Sequence, residues 1–284
     1  MKIVFSEKCL EYCAPTSPEF PKRVSVPFEY LSRKNFQFVE PEPCSDEDLR
    51  LCHTGRLIEA VRTGNFSDSE TPALPGIFGY AKLAVGAAIK AAALALQGEK
   101  TFSLMRPPGH HAEKDQLGGF CYFNNMAIAA VKSLQTVKKA AIIDTDCHHG
   151  NGTEDIVFGN RNILYVSLHQ SPLYPGTGLK SRGNCLNYPL PPGTDEKTYL
   201  SVLEKALSEI KKFKPSIIGI SAGFDTYKED SLANISLEKE SYRKIGEMIK
   251  DLDKPVFSVL EGGYSHDLAE CIYQFVSGLE KQAK

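Results

Sequence analysis

The run Asp144-Thr145-Asp146-Cys147-His148-His149-Gly150-Asn151-Gly152 sets carboxylates, imidazoles and a thiol directly after the apolar residues Ala141 to Ile143. The apolar residues read as a buried strand, and the polar run falls where that strand ends. In a parallel sheet the carboxyl edge of the strands is where ligand sites lie. Asp146 and His148 alternate with Thr145 and Cys147, so both project to one side of an extended chain. A carboxylate and an imidazole on one face can grip a single divalent metal. Gly150 and Gly152 then let the backbone turn sharply beneath them. For a lone Asp-x-His, polar groups that merely hydrogen-bond a loop or cap a helix are the plainer account.

Other segments weigh against that plainer account. Thr101 to Met105 reads as a strand and runs into Arg106-Pro107-Pro108-Gly109-His110-His111-Ala112, which puts two titratable rings side by side in a proline-stiffened loop. Ile217 to Ser221 reads as a strand leading into Ala222-Gly223-Phe224-Asp225, a further carboxylate at a strand end. Val256 to Leu260 leads into Glu261-Gly262-Gly263-Tyr264. Apolar strands that each end in a polar, Gly-bearing loop predict one shared site.

From Thr101 onward, strand-like segments alternate with helical ones, the pattern of a parallel sheet with crossover helices. Apolar helical spacing runs over Phe123 to Leu134, Glu196 to Lys212, Leu237 to Leu252 and Leu268 to Leu279. In Glu196 to Lys212 the buried face is expected to carry Tyr199, Val202, Leu203, Ala206, Leu207 and Ile210. Residues before Thr101 are less regular: a strand-like start over Met1 to Phe5, turns at Ala14-Pro15, Phe20-Pro21 and Val39 to Pro43, and an apolar helix over Ala81 to Leu96. No repeat, low-complexity run or composition shift marks a linker. The expectation is one α/β domain over residues 1–284, with a central, mostly parallel sheet flanked by helices.

With 284 residues, 42% of them hydrophobic and 24% charged, the composition is that of a soluble globular protein. A formal charge of -2 leaves no nucleic-acid footprint. Lys82 and Lys90 interrupt Ala81 to Leu96, which reads as too short and too charged to span a bilayer, so no membrane partner is expected. Lys239, Lys244, Lys250, Lys254, Lys281 and Lys284 are interleaved with acids, as on a solvated helical surface. Glu7 and Lys8 cut short the apolar start, so no signal peptide is read there. The 8 cysteines include no C-x-x-C pair, and Cys9, Cys13, Cys44 and Cys52 are poorly spaced for a structural zinc. Free thiols in a cytoplasmic protein are expected. The sequence leaves the oligomeric state open.

Taken together the motifs resemble the histone deacetylase family, with its bacterial and archaeal deacetylase-like relatives and the acetylpolyamine amidohydrolases. The resemblance rests on Arg106 to Ala112, Gly118 to Asn124, Asp144 to Gly152, Val166 to His169, Tyr174 to Gly178, Gly223 to Asp225 and Glu261 to Tyr264. These lie in the family order and cover most of the chain from about residue 20 on. The resemblance implies an arginase-like α/β fold and a zinc hydrolase that removes an acyl group from an amine. It puts the metal ligands on Asp146, His148 and Asp225, the tandem histidines on His110 and His111, and the oxyanion-stabilising tyrosine on Tyr264. The carboxylate behind the first histidine falls on Asp144. Behind the second, branches of the family carry Asp or Asn; here it is Asn151, and a neutral amide raises an imidazole pKa less than a carboxylate does.

The same resemblance places Gly119, Phe120 and Tyr174 along a narrow acyl-lysine tunnel, and Arg23 at the base of an acetate-release cavity. A potassium site would use the backbone at Asp144, Asp146 and His148 with Ser167 and Leu168. Polyamine-specific members carry a Glu seven positions after the metal aspartate, where this chain has Leu232, with Glu229 and Asp230 nearby as solvated loop residues. An acyl-lysine protein or peptide is therefore the expected partner, and an acetylated small amine the alternative. The ligand set admits Fe(II) as well as zinc.

His169, His149, His53 and His266 read as structural, surface or capping residues. A ureohydrolase with two metals would need more carboxylates, and Asp225 is followed by Thr226 and Tyr227, so one metal is expected. A non-catalytic acyl-lysine reader would lack catalytic groups, and none is lacking.

Overall fold

The computed structural model describes residues 1–14 and 17–280, so Pro15 of the expected Ala14-Pro15 turn, Lys281 and Lys284 lie outside the described residues. The strands are β1 (Lys2–Val4), β2 (Gln37–Val39), β3 (Thr101–Ser103), β4 (Ala140–Asp144), β5 (Ile163–Gln170), β6 (Cys185–Leu190), β7 (Ile217–Ala222) and β8 (Val256–Leu260). They form one 8-stranded sheet in the order β2-β1-β3-β8-β7-β4-β5-β6. Every pairing is parallel. Strands β3, β4, β7 and β8 are buried along their whole length, which is why β4, β7 and β8 read as near-continuous apolar runs, whereas β3 places Thr101 and Ser103 in the interior as well. The four strands singled out in the sequence are thus neighbours, in the order β3-β8-β7-β4. Their ends are level as well: Asp144 pairs with Ser221, and Ser221 with Val259. Four loops consequently leave one sheet edge side by side.

Helices α1 (Lys22–Arg33), α2 (Asp46–Arg50), α3 (Gly55–Thr63), α4 (Ile77–Leu96), α5 (Asn125–Ser133), α6 (Asn151–Val157), α7 (Glu196–Phe213), α8 (Lys239–Lys250) and α9 (Leu268–Leu279) cover the sheet. The start of α5 is set by Asn124, whose side chain accepts from the Ala127 N–H at 2.8 Å. Asp195 caps α7 in the same way, accepting from Thr198 at 2.9 Å. Helix α7 buries Tyr199, Leu203, Ala206, Leu207 and Ile210, while Val202 sits half-buried at the edge of that face.

Helix α4 starts at Ile77, four residues before the expected Ala81, and its 20 residues reach the length and apolarity of a bilayer span. By length and composition, then, this helix is not too short to cross a bilayer. What characterises this helix is its packing: Ala84, Val85, Ala87, Ala88, Ala91 and Ala92 are buried, and it contacts α5, β3 and β8. Small side chains let the backbones approach, and Gly86 meets the chain at Glu42 directly.

Candidate active site

Strand β4 ends at Asp144, so Asp146 and His148 stand on the following loop and not on extended chain, and strand alternation does not set their directions. The bends of the loop bring them together all the same, and Asp225 joins them from the loop after β7. One ligating atom from each of the three lies within 4.8 Å of the others. His148 Nδ1 is 2.8 Å from Asp225 Oδ2 and 3.1 Å from Asp146 Oδ1. Backbone N–H groups aim the carboxylates: Cys147 donates to Asp225 Oδ1 at 2.8 Å, and Gly262 donates to Asp146 Oδ2 at 2.7 Å. A Cβ on Gly262 would stand 2.6 Å from an oxygen of each carboxylate, so only glycine closes the chain over them.

Both carboxylates are fully buried, and burial together with the Asp146 charge pushes the Asp225 carboxyl up to about 7. Two buried, mutually repelling carboxylates around one imidazole nitrogen form an N,O donor set that a divalent cation neutralises. No other such cluster occurs among the described residues, the cysteines included.

Gly150 and Gly152 do not serve as left-handed turns: Gly150 has φ -75° and Gly152 lies within α6. They are small because of close approach. A Cβ would stand 2.2 Å from Asp144 Oδ2 at Gly150 and 2.3 Å from the Ala112 carbonyl at Gly152.

His110 and His111 arrive on the loop after β3. His110 Nδ1–H donates to Asp144 Oδ2 at 3.2 Å, and that oxygen also accepts from the Tyr165 hydroxyl at 3.0 Å. Burial alone would lower the His110 pKa, but the charges of Asp146 and Asp144 outweigh it and push the ring up to about 10. His111 Nδ1 meets Asn151 Oδ1 at 2.8 Å. Burial, reinforced by the charges on His110 and His148, holds His111 well below the ordinary histidine range. Two adjacent rings with centroids 4.0 Å apart are thereby driven to opposite protonation states.

Glu261, within the quoted Glu-Gly-Gly-Tyr motif but given no role by it, ties these loops together. Its Oε2 accepts from the Gly109 and His110 N–H groups at 2.8 and 3.1 Å, and its Oε1 accepts from the Ser221 hydroxyl at 3.0 Å.

A cavity of about 610 Å³ opens above these groups, and Gly119, Phe120, Leu173, Tyr174, Leu232 and Tyr264 are among the residues that wall it. Gly119 and Phe120 both have positive φ, 53° and 67°, and the Phe120 N–H is fixed by Thr71 Oγ1 at 3.0 Å. A Cβ on Gly119 would stand 2.4 Å from His111 Cδ2, so the chain lies directly on the ring. Tyr174 meets His111 edge to face at 5.0 Å and is 44% exposed, a rim position.

Arg23 is buried, and its Nε and Nη2 donate to the carbonyls of Gly263 at 2.7 Å and Glu261 at 2.6 Å. Its guanidinium lies 4.6 Å from the Tyr264 ring centre, yet Arg23 is not among the residues lining the cavity. Asp230 is buried, against the expectation of a solvated loop residue, because it accepts from the Tyr264 N–H at 2.6 Å and the Leu232 N–H at 3.0 Å. His53 is buried and not at the surface, bridging the Glu113 carbonyl and the Asn124 N–H, each at 2.9 Å. His149 is held by Thr177 and Glu154, and His169 by Ser167 and Gly178, whereas His266 is exposed. Of the expected potassium-site residues, Asp144 and Ser167 pair across β4 and β5, and Asp146 and Leu168 are buried beside them.

The profile of the histone deacetylase domain matches residues 17–279. The chain belongs to this family. The chain is 34% identical over 273 residues to a histone deacetylase-like amidohydrolase of Pseudomonas aeruginosa, covering 88% of this chain and 72% of that one. It superposes on the crystal structure of the HDA15 HD domain with a TM-score of 0.92 and 30% identity, over 99% of this chain and 91% of the other. The acetylpolyamine aminohydrolase of Burkholderia pseudomallei superposes with a TM-score of 0.89 and 26% identity, over 98% of both chains. The fold is that of the arginase/deacetylase group, and the chain is an amidohydrolase of the deacetylase type.

Proposed function

We propose that this family member is a zinc-dependent deacylase of lysine side chains in peptides or proteins, carried by a single catalytic domain. The observation that carries the reading is the placement of Asp146, His148 and Asp225 beside the adjacent rings of His110 and His111, one held by the Asp144 carboxylate and the other by the Asn151 amide. Zinc held by these three side chains would supply a Lewis acid that acidifies water and polarises the amide carbonyl; Fe(II) suits the same donors.

His111, neutral and with Nδ1 committed to Asn151, offers Nε2 as the base that takes the proton of the attacking water and returns it to the leaving amine. His110, kept charged by Asp146 and Asp144, favours the developing negative charge. The Tyr264 hydroxyl donates a hydrogen bond to the oxyanion, its backbone set by Asp230 and its ring by Arg23. We assign Arg23 to holding this tyrosine loop and, as the resemblance implies, to the base of an acetate exit. Asp144, Asp146, His148, Ser167 and Leu168 are the residues that would hold a structural potassium ion.

Phe120, Tyr174, Leu173 and Leu232 give the cavity apolar walls suited to an aliphatic stem. Leucine at 232 offers nothing to a desolvated ammonium, which favours peptide-borne lysine over a free polyamine. The alternative, an acetylpolyamine substrate, is favoured by one lining residue, Glu70, an acid at the cavity that a distant ammonium can reach.

The test is metal analysis followed by a turnover panel of acetyl-lysine peptides and acetylated polyamines. His148→Ala and Asp225→Asn should each lose most of the metal; full zinc occupancy in both would refute the ligand assignment. Wild-type protein should turn over acyl-lysine peptides with the higher kcat/KM, and Leu232→Glu should move that ratio toward acetylated polyamines. A wild-type preference for acetylspermidine, or a ratio that Leu232→Glu leaves unchanged, would overturn the substrate assignment.

A further inference from the structure

The neutral histidine rests on a side chain that can be read two ways. An amide presents an oxygen or an NH₂ in nearly the same shape. With Asn151 Oδ1 toward His111, Nδ1 must carry the hydrogen and Nε2 is a free base. With the amide turned over, Nδ1 must accept, Nε2 must carry the hydrogen, and the ring can no longer take a proton from water. A carboxylate at position 151 would not face this choice.

The structure resolves the choice through Glu113. Asn151 Nδ2 donates to Glu113 Oε1 at 2.7 Å while Asn151 Oδ1 faces His111 Nδ1 at 2.8 Å. An ionised carboxylate only accepts, so turning the amide would set oxygen against oxygen. Glu113 is itself held at both backbone ends. Its N–H donates to the Gln116 carbonyl at 2.8 Å, and its carbonyl accepts from His53 Nδ1 at 2.9 Å. His53 has only that proton to give, because its Nε2 accepts from the Asn124 N–H, and burial holds its pKa down to about 4.

We propose that Glu113 is a positioning residue that fixes the tautomer of His111 through Asn151. This rests on the reading of His111 as the general base. The chain Glu113–Asn151–His111 does with an amide and a distant carboxylate what a directly bonded carboxylate does elsewhere: it holds the hydrogen on Nδ1.

The experiment uses zinc-loaded enzyme and compares Glu113→Ala and Glu113→Gln in the natural background and in Asn151→Asp. In the natural background Glu113→Ala should lower kcat by about ten- to a hundredfold, as lost outer-shell partners do, with KM, zinc content and unfolding temperature little changed. Glu113→Gln, which keeps the shape but can also donate, should fall between the two. In Asn151→Asp, Glu113→Ala should no longer lower kcat, because a carboxylate needs no orienting partner. Ring ¹⁵N shifts of His111 should show the Nδ1–H tautomer in the natural protein and a mixture in Glu113→Ala.

An equal loss in both backgrounds would overturn the proposal and make Glu113 merely structural; so would an unchanged kcat and tautomer in the natural one. His111→Ala separates the two levels: if it keeps its activity, the general-base reading fails, whereas an inactive His111→Ala beside an unaffected Glu113→Ala sinks only the role of Glu113.

Discussion

His110 and His111 are the same side chain at neighbouring positions, and their surroundings alone set them apart. Burial lowers both. For His110 the charges of Asp146 and Asp144 reverse that and push it up to about 10, whereas His111, lowered first by its burial, faces an amide and the charged ring of His110. The charged form of His110 is thus fully present at neutral pH and is lost as pH rises through its folded value. Asp144→Asn removes one of the carboxylates that raise it, so the alkaline limb of the kcat profile should move toward neutral pH. The profile of kcat against pH on zinc-loaded protein checks this, and an alkaline limb that stays in place would detach His110 from catalysis. The acid limb should stay where it is, because His111 is already held below the ordinary histidine range without help from Asp144.

Between residue and molecule stand the loops, and the loop after β7 does more than deliver Asp225. Its Asp230 turns back to accept two N–H groups, from Leu232 and from Tyr264 on the loop after β8. Asp230→Ala would strand both donors, costing about 1–3 kcal/mol of stability. It should lower kcat through a loosened Tyr264 while the metal stays bound. Denaturant unfolding and zinc analysis would show this, and an Asp230→Ala protein of unchanged stability and kcat would mean that the tether is idle. The start of this loop, with Asp225, was legible in the sequence, but the tether at Asp230 was not: a charged residue beside a serine and a glutamate reads as solvated until its N–H partners are known. The strands β4, β7 and β8 were legible because burial on both faces writes a near-continuous apolar run. Strand β3 was read two residues too long, since Leu104 and Met105 are buried without being in the sheet. Strands β1 and β2 have only 3 residues each, too few for a period, and α1 carries Pro27 inside it, which by local rules breaks a helix. Packing of Val24, Pro27 and Leu31 in the core, with α1 against α9, outweighs that rule. Pro189 in β6 is tolerated because β6 is the edge strand. The resemblance picks out Asp146, His148 and Asp225, and the structure brings these three side chains together, but by the bends of their loops and not by strand alternation.

At the scale of the whole molecule, the site lies at the carboxyl edge of the buried strands, so its charge balance is part of the stability of the fold. Asp144, Asp146, Asp225 and Glu261 are all fully buried, a concentration of acid that costs stability wherever it is charged and unpaired. A divalent cation that binds only the folded chain adds stability by mass action, about 4 kcal/mol at a thousandfold excess over its Kd. At roughly 2–4 °C per kcal/mol for chains near this size, zinc-loaded protein should unfold on the order of ten degrees above chelator-stripped protein. The difference should also depend on pH, with a definite sign. Burial and Asp146 push Asp225 up to about 7, above its unfolded value, so in the stripped protein the folded state holds a proton that the unfolded chain releases. Stability of the stripped protein therefore falls as pH rises from the unfolded carboxyl range toward 7, whereas in the loaded protein the cation takes the place of that proton. The gap in unfolding temperature should widen across this window and nearly vanish in His148→Ala, where one of the three ligands is gone. Thermal unfolding with and without zinc, at a pH near 5 and near 7, measures all of this, and equal unfolding temperatures for stripped and loaded protein at both values would show that the cation is not coupled to the fold.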